Sequence, residues 1–243
     1  MSKINKIIFS LSILILLLVV IPNCFAFENQ TSISHDDSDI LSSGEYYFDA
    51  NLENDTGDGS ASNPYKYLTD DRIKQDSTIH LANGVYNYSH LNSMSIKNLA
   101  IYGNDSSKTI INGSGKSFLV SGKLTLKNVT LINTPVVSQG NLYASNTVFT
   151  NSILPKEDNY GNSYGGAIYC KSNSHETYLN NCTFINNSAR FGGAIYLSGG
   201  YLNIFDCRFI NTTSFKFGGA IAAYSSSFKK RIPIWYSKNF FRI

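Results

Sequence analysis

Three copies of one hexapeptide organise the second half of this 243-residue chain. An aromatic residue, two glycines, Ala-Ile and one further residue recur at 164–169, 191–196 and 217–222, with spacings of 27 and 26 residues. Self-similarity at a short period is the signature of a repeat architecture, in which each unit packs on its neighbours. The chain is therefore expected to form a stack of like units.

A second unit lies between these copies and also precedes them. It places an Asn or Asp two residues after an aliphatic residue, an apolar residue three further on, and an Asn or Gly at the end. Copies occur at 96–103, 126–133, 144–151, 179–186 and 204–211. The alternation after the Asn or Asp has a period of two residues, which predicts a strand.

Stacked copies of that strand would bring like residues into three columns. The first column holds Leu99, Val129, Thr147, Cys182 and Cys207. The second holds Ile101, Leu131, Phe149, Phe184 and Phe209. The third holds Gly103, Asn133, Asn151, Asn186 and Asn211, which we expect to point inward and to hydrogen-bond along the stack, as asparagine ladders do.

The predicted fold is an all-β, right-handed parallel β-helix with few rungs. Paired glycines suit tight turns between its strands. The main alternative, an immunoglobulin-like sandwich, predicts alternating strands without columns of like residues. The residues that define the repeat are Gly165, Gly166, Ile168, Gly192, Gly193, Ile195, Gly218, Gly219, Ile221, Phe149, Phe184, Phe209, Asn151, Asn186 and Asn211.

The first 26 residues have the pattern of a secretory signal peptide. Lys3 and Lys6 precede an apolar run at 7–21 that only two serines interrupt, and Ala26 ends the segment. The run is short for a membrane span, which needs about 20 residues. We expect cleavage after Ala26 and a secreted or cell-surface location. An uncleaved membrane anchor and a lipid-modified Cys24 are the alternatives.

Composition divides the remainder into four parts. Residues 27–45 are predicted to be a flexible segment, 46–95 an N-terminal cap with the first rungs, and 96–227 the β-helix repeats. Residues 228–243 form a tail with five basic residues and no glycine, in which the repeat pattern stops. We expect a truncated or frameshifted chain there; the alternative is a genuine cap, which solenoid ends require.

The net charge of +3 would by itself suggest an anionic partner such as nucleic acid. Two of the 20 Lys and Arg residues lie in the signal segment and five in the tail, so 13 remain against 17 acidic residues. The repeat region is thus mildly acidic. We predict no nucleic-acid partner, and membrane contact only through an uncleaved signal segment.

Cys182 and Cys207 fall in one predicted column. We expect them to pack as small core residues; the alternative is a disulfide bond between neighbouring rungs, which an exported protein permits. The chain contains no Cys-x-x-Cys pair and no Cys/His cluster, so neither a zinc site nor another cofactor is predicted.

The Gly165-Gly166-Ala167-Ile168 and Phe184-Ile185-Asn186-Asn187 segments resemble the polymorphic outer-membrane-protein repeat. The segment before the repeats, with Tyr47-Phe48-Asp49-Ala50 and a Gly/Asp turn at 54–60, resembles the N-terminal part of pectate-lyase-like β-helix proteins. Together with the signal segment, the chain looks like the adhesin-like surface proteins of methanogenic archaea. The resemblance implies an exported β-helix that contacts cell-surface glycans or neighbouring cells. Members of that family are usually much longer.

Side chains suited to catalysis are sparse. Arg72-Ile73-Lys74 resembles a tripeptide of polygalacturonases, but it precedes the repeats and is interpreted as a solvated cap segment. Asp206 is interpreted as a turn residue and Arg208 as a solvent-exposed one. Asp49, Asp55 and Asp58 could in principle bind Ca²⁺, but their spacing does not fit the EF-hand pattern. No catalytic residue, metal ligand or enzymatic activity is therefore predicted.

The sequence therefore leaves three hypotheses about function. The favoured one is a non-enzymatic, adhesin-like surface protein; the others are a polysaccharide lyase or epimerase on the same fold, and a truncated fragment without function. Nine Asn-x-Ser/Thr sequons make glycosylation of an exported chain plausible. Because we place Asn186 and Asn211 in the inward column, we expect no glycan on them. The sequons begin at Asn29, Asn54, Asn87, Asn104, Asn112, Asn128, Asn181, Asn186 and Asn211.

Overall fold

The computed structural model describes residues 44–87, 94–155, 163–171, 174–224 and 241–242. All regular elements of this part of the chain are β-strands, and all pairings between them are parallel. The predicted signal segment, the predicted flexible segment up to residue 43 and most of the tail lie outside the described residues. The predicted all-β fold is confirmed.

The strands of the described residues are short, and most have three to five residues. They are β1 (Gly44–Phe48), β2 (Ser77–Leu81), β3 (Gly84–Asn87), β4 (Met94–Gly103), β5 (Thr109–Asn112), β6 (Phe118–Lys127), β7 (Thr130–Ile132), β8 (Val136–Ser138), β9 (Asn141–Ser145), β10 (Val148–Thr150), β11 (Ile168–Cys170), β12 (Glu176–Asn180), β13 (Thr183–Ile185), β14 (Ser188–Phe191), β15 (Ile195–Leu197), β16 (Tyr201–Phe205), β17 (Arg208–Ile210), β18 (Thr213–Phe217), β19 (Ile221–Ala223) and β20 (Phe241–Arg242).

These strands form three sheets, of which the largest divides at β6. The first part of β6 pairs with β8 and its last part with β9. A first arm continues from β8 through β11, β15, β19 and β20, and a second arm from β9 through β12 to β16. A six-stranded sheet runs from β3 through β5, β7, β10 and β13 to β17, and β14 pairs with β18.

One complete coil can be followed from β11 to β14. The chain passes along the first arm in β11, the second arm in β12, the six-stranded sheet in β13 and the two-stranded sheet in β14. Strands β15–β18 repeat this course in register, with Ile168 opposite Ile195 and Phe184 opposite Phe209. Four parallel strands per coil, stacked in register, make a parallel β-helix, as predicted.

Asparagine and aspartate mark two corners in each of the four coils that contain β7, β10, β13 and β17. Their backbone φ angles lie between 48° and 57°, in the left-handed region that Asn, Asp and Gly tolerate best. Side-chain amides also bond along both corners: Asn181 Nδ2 donates to Asn146 Oδ1 at 2.8 Å, and Asn186 Nδ2 donates to Asn151 Oδ1 at 3.3 Å. The first corner holds Asn128, Asn146, Asn181 and Asp206, and the second holds Asn133, Asn151, Asn186 and Asn211.

The prediction that the second of these columns points inward is wrong. Asn151, Asn186 and Asn211 are exposed, and Asn133 is half-buried. The left-handed residue turns the chain outward at the end of the strand, so the alternation of faces does not continue through it. Burial therefore gives no reason to exclude glycosylation of Asn186 and Asn211.

The prediction that residues 96–103 form the first copy of the same strand unit is also wrong. Strand β4 belongs to the twelve-stranded sheet, where Leu99 lies opposite Ser77 and Leu124. The counterpart of β7 in the earlier coil is instead β5, with Ile111 opposite Leu131. Leu99 and Ile101 are still fully buried, because both sheets send alternate residues into the same core.

The two apolar columns of the later coils fill the interior of the β-helix. Phe149, Phe184 and Phe209 stack with ring centroids 4.9 and 4.7 Å apart and with both interplanar angles at 5°. Buried Asn187 braces the same interior, since its Nδ2 donates to the Phe149 carbonyl oxygen and its Oδ1 accepts from the Ser152 amide. These contacts keep successive coils in fixed register, which in turn fixes the outward side chains.

The turn between the two-stranded sheet and the first arm is closed by glycine pairs. Gly192 has a φ of 63°, and a Cβ there would lie 2.0 Å from the Ile195 carbonyl oxygen. Gly193 follows in close contact with the next coil, where a Cβ would lie 2.1 Å from the Gly219 carbonyl oxygen. Gly165 and Gly218 have similar positive φ angles at the same corner of the neighbouring coils.

Candidate ligand-contact face

The outer surface of the second arm brings polar and aromatic side chains of successive coils together. In β9 and β12 the inward positions are fully buried leucines, Leu142 and Leu179, so the alternate residues face outward. Parallel register places Tyr143 beside Tyr178, and Tyr178 beside Asn203. We call this surface the Glu176 face; it consists of Lys123, Asn141, Tyr143, Glu176, Tyr178 and Asn203.

Glu176 is held by three neighbouring side chains. Asn203 Nδ2 donates to Oε1 at 2.6 Å, and the Tyr143 hydroxyl donates to Oε2 at 3.5 Å. The backbone amide of Glu176 donates to Asn141 Oδ1 at 2.9 Å. All three contacts come from adjacent coils, and those from Asn203 and Tyr143 orient the carboxylate.

The aromatic rings of this face carry neutral hydroxyl groups at physiological pH. Burial raises the pKa of Tyr143 above its ordinary value, and the negative charge of Glu176 raises it further. The pKa of Tyr178 is raised by the same two causes in the same order. The Lys123 ammonium lies 5.3 Å from the centroid of the Tyr143 ring, within the range of a cation–π interaction.

Thr125 contributes an unsatisfied group beside this face. It lies on β6, opposite Tyr143, and is 5% exposed. Its hydroxyl has no hydrogen-bond partner in the part of the chain that the structure describes. A buried hydroxyl without a partner costs about 1–3 kcal/mol.

A second aromatic cluster covers the corner formed by the glycine pairs. The Tyr164 ring lies 4.5 Å from that of Tyr196 and 5.1 Å from that of Tyr169, measured between centroids. Phe191 packs on Tyr164 at 5.3 Å. Burial, followed by the neighbouring tyrosines, raises the pKa of Tyr196. The first residue of each glycine-pair hexapeptide therefore belongs to an aromatic cluster outside the core.

The sequence interpretation of Arg72-Ile73-Lys74 as a solvated cap segment is only partly right, because Lys74 is exposed, Arg72 is half-buried and Ile73 is buried. The Arg72 guanidinium binds both carboxylate oxygens of Asp55, at 2.7 and 2.8 Å, and lies 4.4 Å from the centroid of the Tyr65 ring. Ile73 is buried. The hydrogen bond from Arg72 holds the pKa of Asp55 below its ordinary value. The contact between Asp55 and Arg72 thus connects the Gly/Asp turn at 54–60 to the segment around Arg72.

Other charged and thiol side chains lie where they serve the turns or the core. Asp206 is exposed at a left-handed corner, and Arg208 is exposed on β17. Cys182 and Cys207 are buried free thiols, and the Cys182 amide donates to Cys207 Sγ at 3.4 Å. Burial raises the pKa of Cys207 well above its ordinary value.

Neither a metal-binding cluster nor a membrane-spanning helix occurs among the described residues. Within them, no group of three or more His, Cys, Asp or Glu side chains is placed to hold a metal ion. No helix in the described ranges is long and apolar enough to cross a membrane. Asp58, considered above for Ca²⁺, instead accepts the Ser60 amide at 2.9 Å.

Sequence reasoning missed Glu176. It was absent from the charged residues considered for catalysis, although it stands at an outward position of the alternating segment Glu176–Asn180. The signal was available in that alternation, since Thr177 and Leu179 are its inward residues. The partners of Glu176 were not available, because Tyr143 and Asn203 are 33 and 27 residues away in sequence.

Comparison with known proteins gives one short match. Residues 181–198 match the Chlamydia polymorphic membrane protein repeat. The matched stretch contains β13, β14 and β15 with the corner at Gly192 and Gly193. No curated protein matches the chain, and no solved structure does.

Proposed function

We propose that this chain is an exported, adhesin-like surface protein, similar to the adhesin-like proteins of methanogenic archaea. Its β-helix would present outward side chains to cell-surface glycans or neighbouring cells, without catalysing a reaction. The fold acts as a rigid support, because each coil is locked in register by buried columns. Function then depends on the outward residues.

The match of residues 181–198 to a repeat of Chlamydia polymorphic membrane proteins carries this proposal. The name of that repeat places its proteins at a membrane, and the predicted signal segment at 1–26 agrees with export. The outward surface adds support, since tyrosine and asparagine side chains recur on it from coil to coil. Such a surface suits repeated polar contacts with a large partner.

Location and contact can be tested together on intact cells. We expect the full chain, expressed with a C-terminal epitope tag, to be labelled by antibody and degraded by added protease without lysis. We also expect the purified chain to bind the surface of cells of the same kind. Labelling only after lysis would contradict export, and export without cell binding would contradict a contact function.

A saccharide-cleaving enzyme is the second candidate, and Glu176 is the observation that favours it. Its carboxylate lies on an outward face with Lys123, and a carboxylate is a common general acid or base. Release of new reducing ends or unsaturated products from polysaccharides would establish this activity. Glu176→Gln would then abolish product release, whereas Glu45→Gln, on the same sheet but far from the site, would not.

A further inference from the structure

We propose that the Glu176 face binds a neutral, hydroxyl-rich saccharide. This inference rests on the proposed surface function and names the ligand class of one of its faces. The site combines the flat rings of Tyr143 and Tyr178 with the carboxylate of Glu176 and the amide of Asn203. A sugar ring offers matching chemistry, with apolar C–H faces bordered by hydroxyl groups.

The hydrogen-bonding groups of the face suit hydroxyl ligands. A carboxylate has about four acceptor positions, and an amide side chain offers both donors and acceptors. Hydrogen bonds to an ionised carboxylate are roughly twice as strong as those between neutral groups. Because Asn203 and Tyr143 already orient Glu176, a sugar hydroxyl would meet a carboxylate in a fixed position.

The aromatic groups supply the complementary apolar contact. Tyr143 and Tyr178 lie on adjacent strands, which are about 4.8 Å apart. Both side chains are half-buried, so their rings are held by neighbours and lose little freedom when a ligand packs on them. Tyr178 also lies 5.2 Å from the Phe205 ring on the next coil, measured between centroids.

The charge of the face favours a neutral ligand. Its six residues include one cation, Lys123, and one anion, Glu176, and both phenols are neutral. A polyanion would meet the fixed carboxylate at the centre of the site.

Thr125 is a second, independent sign of an incomplete site. Its unpaired hydroxyl lies on the strand beside Tyr143, on the same side of the sheet. From this position the hydroxyl could bond a ligand hydroxyl through a bridging water. Thr125→Val, which keeps the shape, would then weaken binding without lowering stability.

Binding can be measured with the full chain and defined oligosaccharides. The neutral probes are immobilised cellohexaose, xylohexaose and maltohexaose, and the acidic probe is hexagalacturonate. We expect saturable binding to at least one neutral probe and no cleavage of it. Glu176→Gln keeps the shape of the side chain and removes its charge, and we expect it to weaken binding about tenfold or more. Tyr178→Ala should act in the same direction.

Glu45→Gln is the matched control. Glu45 accepts a hydrogen bond from the Tyr47 hydroxyl at 2.9 Å and lies on the same sheet, four strands or roughly 19 Å from the Tyr143 column. It should leave saccharide binding unchanged. Equal thermal unfolding midpoints of the two Gln variants would show that Glu176→Gln does not act through folding.

Several results would overturn the proposal. These are binding to none of the neutral probes, binding to hexagalacturonate alone, and equal affinities of the wild type and Glu176→Gln. Cell binding that persists without saccharide binding would leave the surface function standing and refute the saccharide site. Saccharide binding by a chain that is not exported would support the saccharide site and refute the surface function.

Discussion

Each left-handed corner residue solves a local problem of backbone geometry. That conformation costs most side chains roughly 1–2 kcal/mol, and asparagine reduces the cost by bonding locally. At Asn181, with a φ of 49°, the side chain also donates to Asn146 on the preceding coil. One residue type therefore both turns the chain and joins two coils.

Substitution of Asn181 separates these two roles. Asn181→Gly loses the ladder bond, which is worth about 1 kcal/mol, and keeps the conformational freedom that the corner needs. Asn181→Ala loses the bond and adds the left-handed cost, so we expect a loss of about 2–3 kcal/mol. Urea unfolding of both variants measures the difference. Equal losses would contradict the conformational argument.

The central phenylalanine of the stack should be the most sensitive core residue. Phe184 is fully buried between Phe149 and Phe209, and Phe184→Ala should lower the free energy of unfolding by about 3–5 kcal/mol. Phe215 is half-exposed, and Phe215→Ala should change the free energy of unfolding by less than about 0.5 kcal/mol. Chemical denaturation tests both; a small loss for Phe184→Ala would contradict the packing.

The sequence predicts the columns well and their direction less well. Like residues recur at Phe149, Phe184 and Phe209, so periodicity alone identifies a core column. The side on which Asn186 lies depends on its φ angle, which no alternation reveals. The partners of Glu176 could not be predicted for another reason: they lie on neighbouring coils, and the number of residues per coil varies.

At the scale of elements, turns and the cap set what the strands can do. The glycine-pair corner returns the chain to the first arm with almost no room for a side chain. The cap depends instead on a charged contact between Asp55 and Arg72. The stability of the glycine-pair corner is thus sensitive to side-chain volume, and that of the cap is sensitive to pH.

Two alanine substitutions isolate the effect of volume at the corner. Gly115 and Gly192 both have positive φ angles, of 87° and 63°, so alanine carries a conformational cost at each. A Cβ at Gly115 has its nearest neighbour at 4.0 Å, whereas one at Gly192 lies 2.0 Å from a backbone oxygen. Gly192→Ala should therefore cost about 1–3 kcal/mol more than Gly115→Ala in thermal unfolding. Similar costs would show that the corner can relax.

The cap predicts a defined pH dependence. The pKa of Asp55 in the folded chain lies below its ordinary value of 3.8, so its contact with Arg72 adds stability above that pH. This contribution is lost as the pH falls through the lowered pKa. Asp55→Asn should reduce the free energy of unfolding at pH 7, and the difference from the wild type should shrink below pH 3.8. A constant difference in acid would contradict the assignment.

At the scale of the whole molecule, exposed apolar side chains concentrate on the last described coil. Ile210 and Phe217 are 44% and 45% exposed, and Tyr224 is 72% exposed. Strand β17 is the last strand of the six-stranded sheet among the described residues. A terminal strand of a sheet that carries exposed apolar side chains favours pairing with another chain.

Self-association should therefore depend on this edge. Ile210→Lys places a charge on β17, and lysine on an edge strand opposes pairing between chains. We expect less concentration-dependent light scattering than for the wild type. Ile153 is 66% exposed and lies outside β17, so Ile153→Lys is the control and should leave scattering unchanged. Equal effects of both variants would point to general solubility.

The first corner ladder has a consequence for how such chains diverge. Asn128, Asn146 and Asn181 stack in one row although 18 and then 35 residues separate them along the chain. The row of asparagines keeps neighbouring coils in register, and the number of residues between one asparagine and the next can vary. Insertions and deletions can accumulate between coils while the interior stays the same. Descendants of one such protein can thus acquire new outer loops and still share a recognisable single coil.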